Sequence, residues 1–397
     1  MDFPIQDILI VLPVFTFGSG FILAWILKKR HKPASNAALS QENRAYIKGL
    51  NYIIANMPDK AIAEFTKAVQ LNSDTVEIYL SLGNLFREKG DVERAIRIHQ
   101  SILLRPTLDP KTHVQALVDL GLDYHKAGFI DRAIETYKKV IGLDPNSLIA
   151  YKQLEKLHEE ENNWERAYSI QHKIMRLENS KDQRMLAHIQ VQMGQQFYEA
   201  GDPRQAFKRL KTAMMLNKGC TPAYLLMGDI YFDEGKLDKA IAIWEEIVDN
   251  GLRFAFLAYR RLENAYLQQG QYDKIGHLYR RMLKDKPGDI RTRIALAKYY
   301  HKSGRSDQAI GELQEALKHN SKVPEVRQYL LQILLETKGA DVISQYTNLF
   351  QELKTEDIPL HCSHCGYEDL ELPWKCLRCR EWDTFIDYLS GEQPAKS

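Results

Sequence analysis

The sequence predicts an all-α protein in which a membrane-spanning helix precedes an array of repeated helix pairs and a small four-cysteine module follows it. Three observations lead to this prediction: an uncharged run near the N-terminus, a pattern that returns about every 34 residues, and two Cys-x2-Cys pairs near the C-terminus. The 397 residues are 44% hydrophobic, which is ample to bury a core. The formal charge of +2 gives no field that would favour nucleic acid as a partner.

The N-terminal run, residues 8–27, has 20 residues without a formal charge. A helix rises about 1.5 Å per residue, so this run can span a hydrocarbon core of roughly 30 Å. Lys28–Lys32 is basic, whereas the residues before the run include Asp2 and Asp7. Because basic flanks stay in the cytoplasm, we expect a single membrane span whose N-terminus faces out, with everything after residue 32 in the cytosol. The alternative, a cleaved signal peptide, lacks both a positive leading region and a small-residue cleavage site.

A second pattern combines a small residue, a bulky residue three positions later, a turn glycine and then an alanine. Its clear copies are Gly83-Phe86-Gly90-Ala95, Gly121-Tyr124-Gly128-Ala133, Gly194-Phe197-Gly201-Ala206 and Gly228-Tyr231-Gly235-Ala240. With degenerate copies on either side we count eight repeats and a ninth, capping pair from Pro324 to Leu353. Each repeat is expected to be two antiparallel helices whose small residues allow close approach.

The helical period places the residues just after each small position on one face of the array. We interpret these residues as a candidate partner-binding groove: Asn84, Arg87, Gln195, Tyr198, Asp229, Phe232, Lys298 and His301. For any single one of them, a solvated helix face is the alternative interpretation. Because stacked repeats offer an extended surface rather than an enclosed pocket, the pattern favours protein binding over catalysis.

The cysteine pattern consists of Cys362, Cys365, Cys376 and Cys379, with ten residues between the two pairs. Cytosolic thiols stay reduced, so the spacing favours one metal ion held by four thiolates over two disulfides. Zinc and iron both suit this ligand set, and four protein ligands indicate a structural site rather than a hydrolytic one. The module also carries apolar area out of proportion to its size, and we expect three residues to dock it on the last helices of the array: Trp374, Trp382 and Phe385.

The repeats match the tetratricopeptide pattern, and the three-part architecture resembles the lipopolysaccharide assembly protein B family of Gram-negative bacteria. Leu82–Arg87 and Arg94–Gln100 resemble that family's second repeat, and Trp374–Cys376 with Cys379–Trp382 resembles its rubredoxin-type metal module. Leu377 departs from the family pattern, which commonly has proline there. The expected organisation is an anchor with a basic flank (1–32), a linker (33–43), a tetratricopeptide-repeat solenoid (44–355), a rubredoxin-type metal-binding module (356–388) and a flexible tail (389–397).

The resemblance implies an adaptor that regulates lipopolysaccharide synthesis and is not an enzyme. It also implies a single-pass protein of the bacterial inner membrane, with a periplasmic N-terminus and cytoplasmic repeat and metal domains. Its implied partners are an FtsH-type membrane protease, the lipid A pathway deacetylase that this protease degrades, and other lipopolysaccharide assembly or regulatory membrane proteins. A homo-oligomer is compatible with the sequence. Two alternatives stay open: a rubredoxin-like electron-transfer protein and a generic tetratricopeptide co-chaperone. No catalytic triad spacing or phosphate loop supports a hydrolase or transferase.

Overall fold

A computed structural model of the chain describes residues 34–71, 75–320, 323–338, 359–387 and 389. The chain divides after Asn179 into two compact units, here called unit 1 and unit 2. The expected membrane span at residues 8–27 lies outside the described residues. None of the helices within the described ranges is both long and apolar enough to cross a bilayer.

Unit 1 contains four helix pairs in which each helix packs against the next one in sequence. The helices are α1 (Ala34–Ile54), α2 (Pro58–Leu71), α3 (Val76–Lys89), α4 (Val92–Leu103), α5 (Pro110–Lys126), α6 (Ile130–Leu143), α7 (Leu148–Glu160) and α8 (Trp164–Glu178). The segment 33–43, expected to be a linker, is helical from Ala34 onward. This expectation was wrong because residues 34–48 contain neither glycine nor proline and continue directly into the first repeat helix.

Unit 2 contains four further pairs, one additional helix and the cysteine module. The helices are α9 (Arg184–Glu199), α10 (Pro203–Leu216), α11 (Thr221–Asp233), α12 (Leu237–Asp249), α13 (Tyr259–Gln268), α14 (Asp273–Asp285), α15 (Ile290–Lys302), α16 (Ser306–His319) and α17 (Pro324–Lys338). A short 3₁₀ helix, Ala255–Ala258, precedes α13. The second helix of the expected capping pair, up to Leu353, lies outside the described residues.

The turns within the repeats are set by glycines and acidic caps. The turn glycines Gly90, Gly128, Gly201 and Gly235 all have φ between +73° and +89°, a left-handed conformation that residues with a Cβ rarely adopt. Asp202 then caps α10, because its side chain accepts a hydrogen bond from the Gln205 N–H. These two devices reverse the chain within a few residues and thereby bring the two helices of a repeat together.

The small residues of the repeat pattern lie where a helix pair is most closely packed. A Cβ added at Gly83 would come within 2.6 Å of His99, and one added at Gly121 would come within 2.7 Å of Tyr137. His99 and Tyr137 are both fully buried. Each large side chain on a second helix therefore occupies the space left by a glycine on the first.

The cysteine module is a three-stranded antiparallel sheet in the order β2-β1-β3. Its strands are β1 (Leu360–Cys362), β2 (Glu368–Asp369) and β3 (Phe385–Ile386). Leu389, expected to begin a flexible tail, is only 5% exposed and belongs to the main apolar cluster of unit 2. The ordered module therefore extends at least to Leu389, because that side chain has an apolar site to fill.

Candidate metal centre and adjoining groove

The four cysteines lie on two turns of the same shape. In the first, the Gly366 N–H donates to the Cys362 carbonyl at 2.9 Å; in the second, the Arg380 N–H donates to the Cys376 carbonyl at 2.9 Å. Gly366 has φ +70° and Arg380 has φ +65°. The second turn thus uses a left-handed arginine where the first uses glycine, and both turns direct two sulfurs toward a common centre.

The sulfur positions fit a single tetrahedral ion. All four Sγ atoms lie within 4.8 Å of one another. The Cys362–Cys379 and Cys365–Cys376 Sγ–Sγ distances are both 3.7 Å. Zn–S bonds of about 2.3 Å in a tetrahedron place sulfurs roughly 3.8 Å apart, so the cage has the size of a tetrathiolate site. The same donor set also accommodates iron.

Thiol ionisation in the cage also favours a cation. Burial acts to raise the pKa of Cys362, but hydrogen bonds from the Thr384 hydroxyl and from the amides of Cys365 and His364 outweigh it and lower the pKa to about 6. The pKa of Cys379 is raised to about 12 by burial and by hydrogen bonding with the other sulfurs. Cys362 therefore ionises readily whereas Cys379 does not, and a bound cation would stabilise the thiolate form of both.

The module docks on α9 through an aromatic and charged contact. Trp382 stacks on the His188 ring with centroids 4.8 Å apart. His188 Nε2 lies 2.6 Å from Asp383 Oδ2, and His188 is only 2% exposed. Asp383 itself has φ +56°, a conformation that aims its carboxylate at the helix. This contact ties the turn after Cys379 to the first helix of unit 2.

A second contact lies on the segment between α12 and α13. The Trp374 ring meets Phe254 edge to face at 5.7 Å, and Phe254 belongs to the apolar cluster that contains Cys362, Cys376 and Phe385. The Arg253 guanidinium donates to the carbonyls of Asp383 and Phe385. Phe385 is 1% exposed and fills the centre of the cluster. The metal cage is therefore packed directly against a repeat connection.

The third contact is a charge pair on α15. Arg291 Nε lies 2.5 Å from Asp387 Oδ2, and Asp387 is 2% exposed. The same guanidinium lies over the Phe256 ring, 4.4 Å from its centroid. These contacts are on α9, the segment 250–258 and α15, so the module docks across more of unit 2 than the last helices that the sequence predicted. The reason is the segment 250–258, which is longer than a repeat turn and supplies Arg253, Phe254 and Phe256.

Four of the expected partner-binding residues line one groove in unit 2. Gln195 and Tyr198 of α9 face Asp229 and Phe232 of α11 across a space of about 530 Å³. A neighbouring space of about 280 Å³ shares Gln195 and Asp229 and is bounded by Trp374. We call the two spaces together the α9–α11 groove. It runs from the repeats to the metal module, and Trp374 forms a wall that the periodicity of the repeats does not predict.

The groove has internal contacts that keep its shape. The Arg261 guanidinium makes two hydrogen bonds to the Asp229 carboxylate, at 2.6 and 2.9 Å. The Tyr198 hydroxyl donates to Asp233 at 2.5 Å, and this bond is the first cause that raises the pKa of Tyr198 to about 12. Sequence reasoning did not identify Arg261; a basic residue one repeat after an acidic groove residue is the signal that could have done so.

The other four expected residues have neighbours within their own units. In unit 1, the Arg87 guanidinium donates to Asn84 at 2.6 Å and to the buried Asp123 carboxylate at 2.9 Å. In unit 2, Lys298 pairs with Glu325, and His301 lies 3.0 Å from the Tyr329 hydroxyl. These contacts join successive repeats, and partner binding by these four residues stays a prediction.

Comparison with known proteins assigns both parts of the chain. A family profile described as "Rubredoxin metal binding domain" matches residues 361–387. Profiles described as "Tetratricopeptide repeat" match residues 78–113, 114–147, 197–251 with 266–337, and 225–290. The repeat array and the metal-binding module predicted from the sequence are thus confirmed.

Two curated relatives are similar over most of the chain. Lipopolysaccharide assembly protein B of Escherichia coli strain K12 is 24% identical over 345 residues, which are 86% of this chain and 88% of the relative. Its Haemophilus influenzae namesake is 25% identical over 379 residues, 91% of this chain and 93% of the relative. A solved tetratricopeptide repeat protein from Parabacteroides merdae is 12% identical, and the match covers 74% of this chain and 99% of that protein with a TM-score of 0.29. The expected family resemblance is confirmed by the two relatives.

Proposed function

Because the chain resembles the lipopolysaccharide assembly protein B family over most of its length, we propose that it is an adaptor in the regulation of lipopolysaccharide synthesis. The observation that carries this proposal is the α9–α11 groove beside a four-cysteine cage. An adaptor needs a shaped protein-binding surface and a means of holding it rigid, and this arrangement supplies both. In this function the chain has no catalytic role of its own.

The groove suits a polypeptide partner. It combines aromatic area from Phe232 and Trp374 with polar side chains at Gln195 and Tyr198, which is the composition of a protein-binding centre with a polar rim. The Asp229–Arg261 pair fixes the charged groups in place before a partner arrives. Less conformational freedom is then lost when the partner binds.

The partners in this proposal are an FtsH-type membrane protease and the deacetylase of the lipid A pathway. Residues 8–27 anchor the chain in the inner membrane, and the basic residues after them keep the repeats in the cytoplasm. An anchored adaptor shares a two-dimensional surface with a membrane protease, which raises their effective concentration. The adaptor thereby promotes degradation of the deacetylase and limits lipopolysaccharide synthesis.

The metal has a structural task in this scheme. A zinc or iron ion held by Cys362, Cys365, Cys376 and Cys379 would supply the charge that lets four thiolates coexist. The folded module then positions Trp374 at the end of the groove. Metal binding and partner binding are thus coupled through folding of the module.

The first experiment depletes the protein in its host and follows the abundance of the deacetylase. The proposal predicts that deacetylase accumulates as the adaptor disappears, because its degradation slows. An unchanged deacetylase level would reject the adaptor function. Complementation with a Cys376→Ser/Cys379→Ser variant tests the metal: both metal content and regulation should be lost, whereas a Cys220→Ser variant, away from the cage, should retain both.

A second experiment identifies what occupies the groove. A photo-crosslinking amino acid at position 232 should capture the deacetylase or the protease in cells, and the same probe at the exposed position 215 on α10 should capture neither. The electron-transfer alternative predicts instead a redox-active iron and no such capture. The co-chaperone alternative predicts capture of a general chaperone.

A further inference from the structure

The first helix of unit 1, α1, exposes one face that carries both aliphatic and cationic side chains. Arg44, Ile47, Lys48, Asn51 and Ile54 are all exposed, and their spacing of three or four residues places them on one side of the helix. Ile47 is 56% exposed and Ile54 is 84% exposed. We call these five residues the α1 face. The opposite side of α1, which includes Ala45 and Gly49, packs against α2.

The α1 face continues into the turn that follows the helix. Ile53 is 41% exposed and Met57 is 43% exposed, so four large apolar residues lie exposed within eleven positions. The other strongly exposed apolar residues of unit 1, such as Leu104 and Phe129, occur singly. Exposed apolar residues that cluster in this way are typical of binding surfaces, whereas those that occur singly are ordinary.

The charge of the α1 face is uniformly positive. Arg44 and Lys48 have no acidic partner among the described residues. The sequence contains no aspartate or glutamate from Asn43 to Pro58. Glu42, the nearest acidic residue, is 3% exposed and accepts a hydrogen bond from the Thr75 hydroxyl. Asp59, the next acidic residue along the chain, is exposed and pairs with Lys89. The face therefore presents two cations next to aliphatic side chains, and neither cation is paired with a carboxylate of the described residues.

We infer that the α1 face lies on an anionic bilayer surface. This inference rests on the proposed membrane anchoring of residues 8–27. Helix α1 begins at Ala34, two residues after the basic stretch Lys28–Lys32, so its start is held at the depth of the headgroups. Amphipathic helices with basic and aliphatic residues on one side bury their apolar side chains roughly 5–10 Å deep at the headgroup boundary. Arg44 and Lys48 then lie beside lipid phosphates.

A second copy of the chain fits this face less well. A symmetric contact would place the same patch on both sides, so four cations would be brought into one interface with no carboxylate of the face to balance them. Like charges across an interface oppose association. A bilayer that contains anionic lipids offers the opposite charge together with an apolar layer beneath it, which matches both components of the face.

The experiment uses the full chain inserted in nanodiscs, one copy per disc. An environment-sensitive fluorescent amino acid replaces Ile54, and quenching is compared between nitroxide-labelled lipid and aqueous iodide. A matched probe replaces Leu104, which is also 84% exposed and lies in the same unit. In discs with phosphatidylglycerol, the position 54 probe should be quenched by the lipid and protected from iodide, whereas the position 104 probe should show the reverse.

Charge variants separate surface binding from simple tethering. Each cation near an anionic surface favours the bound state about fivefold, so Arg44→Gln/Lys48→Gln should shift the equilibrium roughly 25-fold toward the free state. Replacement of phosphatidylglycerol by phosphatidylcholine should act in the same direction. The control variant Lys138→Gln/Lys139→Gln removes the same charge from the exposed side of α6 and should change nothing.

Two results would overturn the inference. If lipid quenching of the position 54 probe were the same with and without anionic lipid, and the same in the Arg44→Gln/Lys48→Gln variant, α1 would be close to the membrane without binding its anionic surface. Protection from iodide without lipid quenching would show that protein, rather than lipid, covers the face. A chain that does not enter nanodiscs at all would instead contradict the proposed anchor, so failure of the proposed function is recognisable separately.

Discussion

Trp244 packs against Gly228 within a repeat and also lines the α9–α11 groove. The substitution Gly228→Ala, which adds one methyl group, tests whether this close contact shapes the groove. Gly228 lies on α11, and a Cβ placed there would be 2.6 Å from both Cδ1 and Cε2 of the Trp244 ring. Trp244 is 1% exposed and lines the groove, and its indole N–H donates to the Leu225 carbonyl at 3.3 Å. Gly228→Ala must therefore displace the indole, because carbon atoms prefer separations of about 3.5–4.0 Å.

The size of the effect follows from two opposing contributions. Overpacking a buried site costs about 1–3 kcal/mol. Alanine in place of glycine inside a helix returns close to 1 kcal/mol. At Gly228 the added Cβ meets three atoms of a rigid, buried ring, so the cost lies in the upper part of this range, about 2–3 kcal/mol, and we expect a net loss of about 1–2 kcal/mol in local stability. Gly194 on α9 is the matched control, because a Cβ there would meet the flexible end of Leu210 at 3.1 Å, and the net change should be close to zero.

Hydrogen exchange is the appropriate assay, because a chain with two compact units does not have a single free energy of unfolding. Amides of α11 and α12 should exchange roughly 5- to 30-fold faster in Gly228→Ala than in the wild type. Capture of a partner by a probe at position 232 should weaken in parallel. If Gly228→Ala and Gly194→Ala exchanged alike, the close approach of α11 to the indole would be incorrect.

Three further outcomes are expected. Chelation of the metal should unfold the module, and its four thiols should then react fast with a thiol reagent. Cys220 stays buried in the repeats with its pKa raised to about 12, so it should react only when the repeats unfold; five equally reactive thiols after chelation would contradict that burial. Arg380→Gly should slow metal release about fivefold, because glycine adopts the left-handed backbone conformation at this position without strain and stabilises the folded cage by about 1 kcal/mol. Faster metal release would show that the arginine has another role. Arg291→Met removes the cation that pairs with the buried Asp387 carboxylate, at a cost of about 3 kcal/mol. Amides of the module should then lose protection from hydrogen exchange, while amides of α3 and α4 keep theirs. Unchanged protection of the module would mean that this ion pair does not hold the module in place.

The periodic features of the fold were accessible from the sequence. Gly83, Gly121 and Gly228 stand at the same position of their repeats, because each must admit a large side chain from the following helix. This steric requirement acts within a short stretch of sequence and is therefore visible as a repeated residue pattern. The four cysteines could be recognised in the same way, because tetrahedral coordination of one ion restricts the spacing of its ligands in the sequence. The direction of Gln195 and Phe232 into one groove followed from the helical period alone.

The docking of the module was not accessible in the same way. It depends on contacts between residues far apart in sequence, such as the Arg253 guanidinium with the Phe385 carbonyl. Phe254, which contacts the module, has a left-handed backbone conformation with φ +59°. Phenylalanine rarely adopts this conformation, so the sequence does not predict it. The role of Arg87 also required the structure, because its guanidinium faces two buried acidic groups of the next repeat rather than open solvent.

The proposed function requires that the α9–α11 groove binds another protein. The most direct measurement is the half-life of the lipid A pathway deacetylase in cells that carry Tyr198→Ala/Phe232→Ala in place of the wild type, with Met215→Ala on α10 as the control. We expect the groove variant to retain its metal and its folded repeats, yet to lengthen the half-life of the deacetylase to that seen without the protein. A normal half-life in the groove variant, at equal protein levels, would contradict the proposed function.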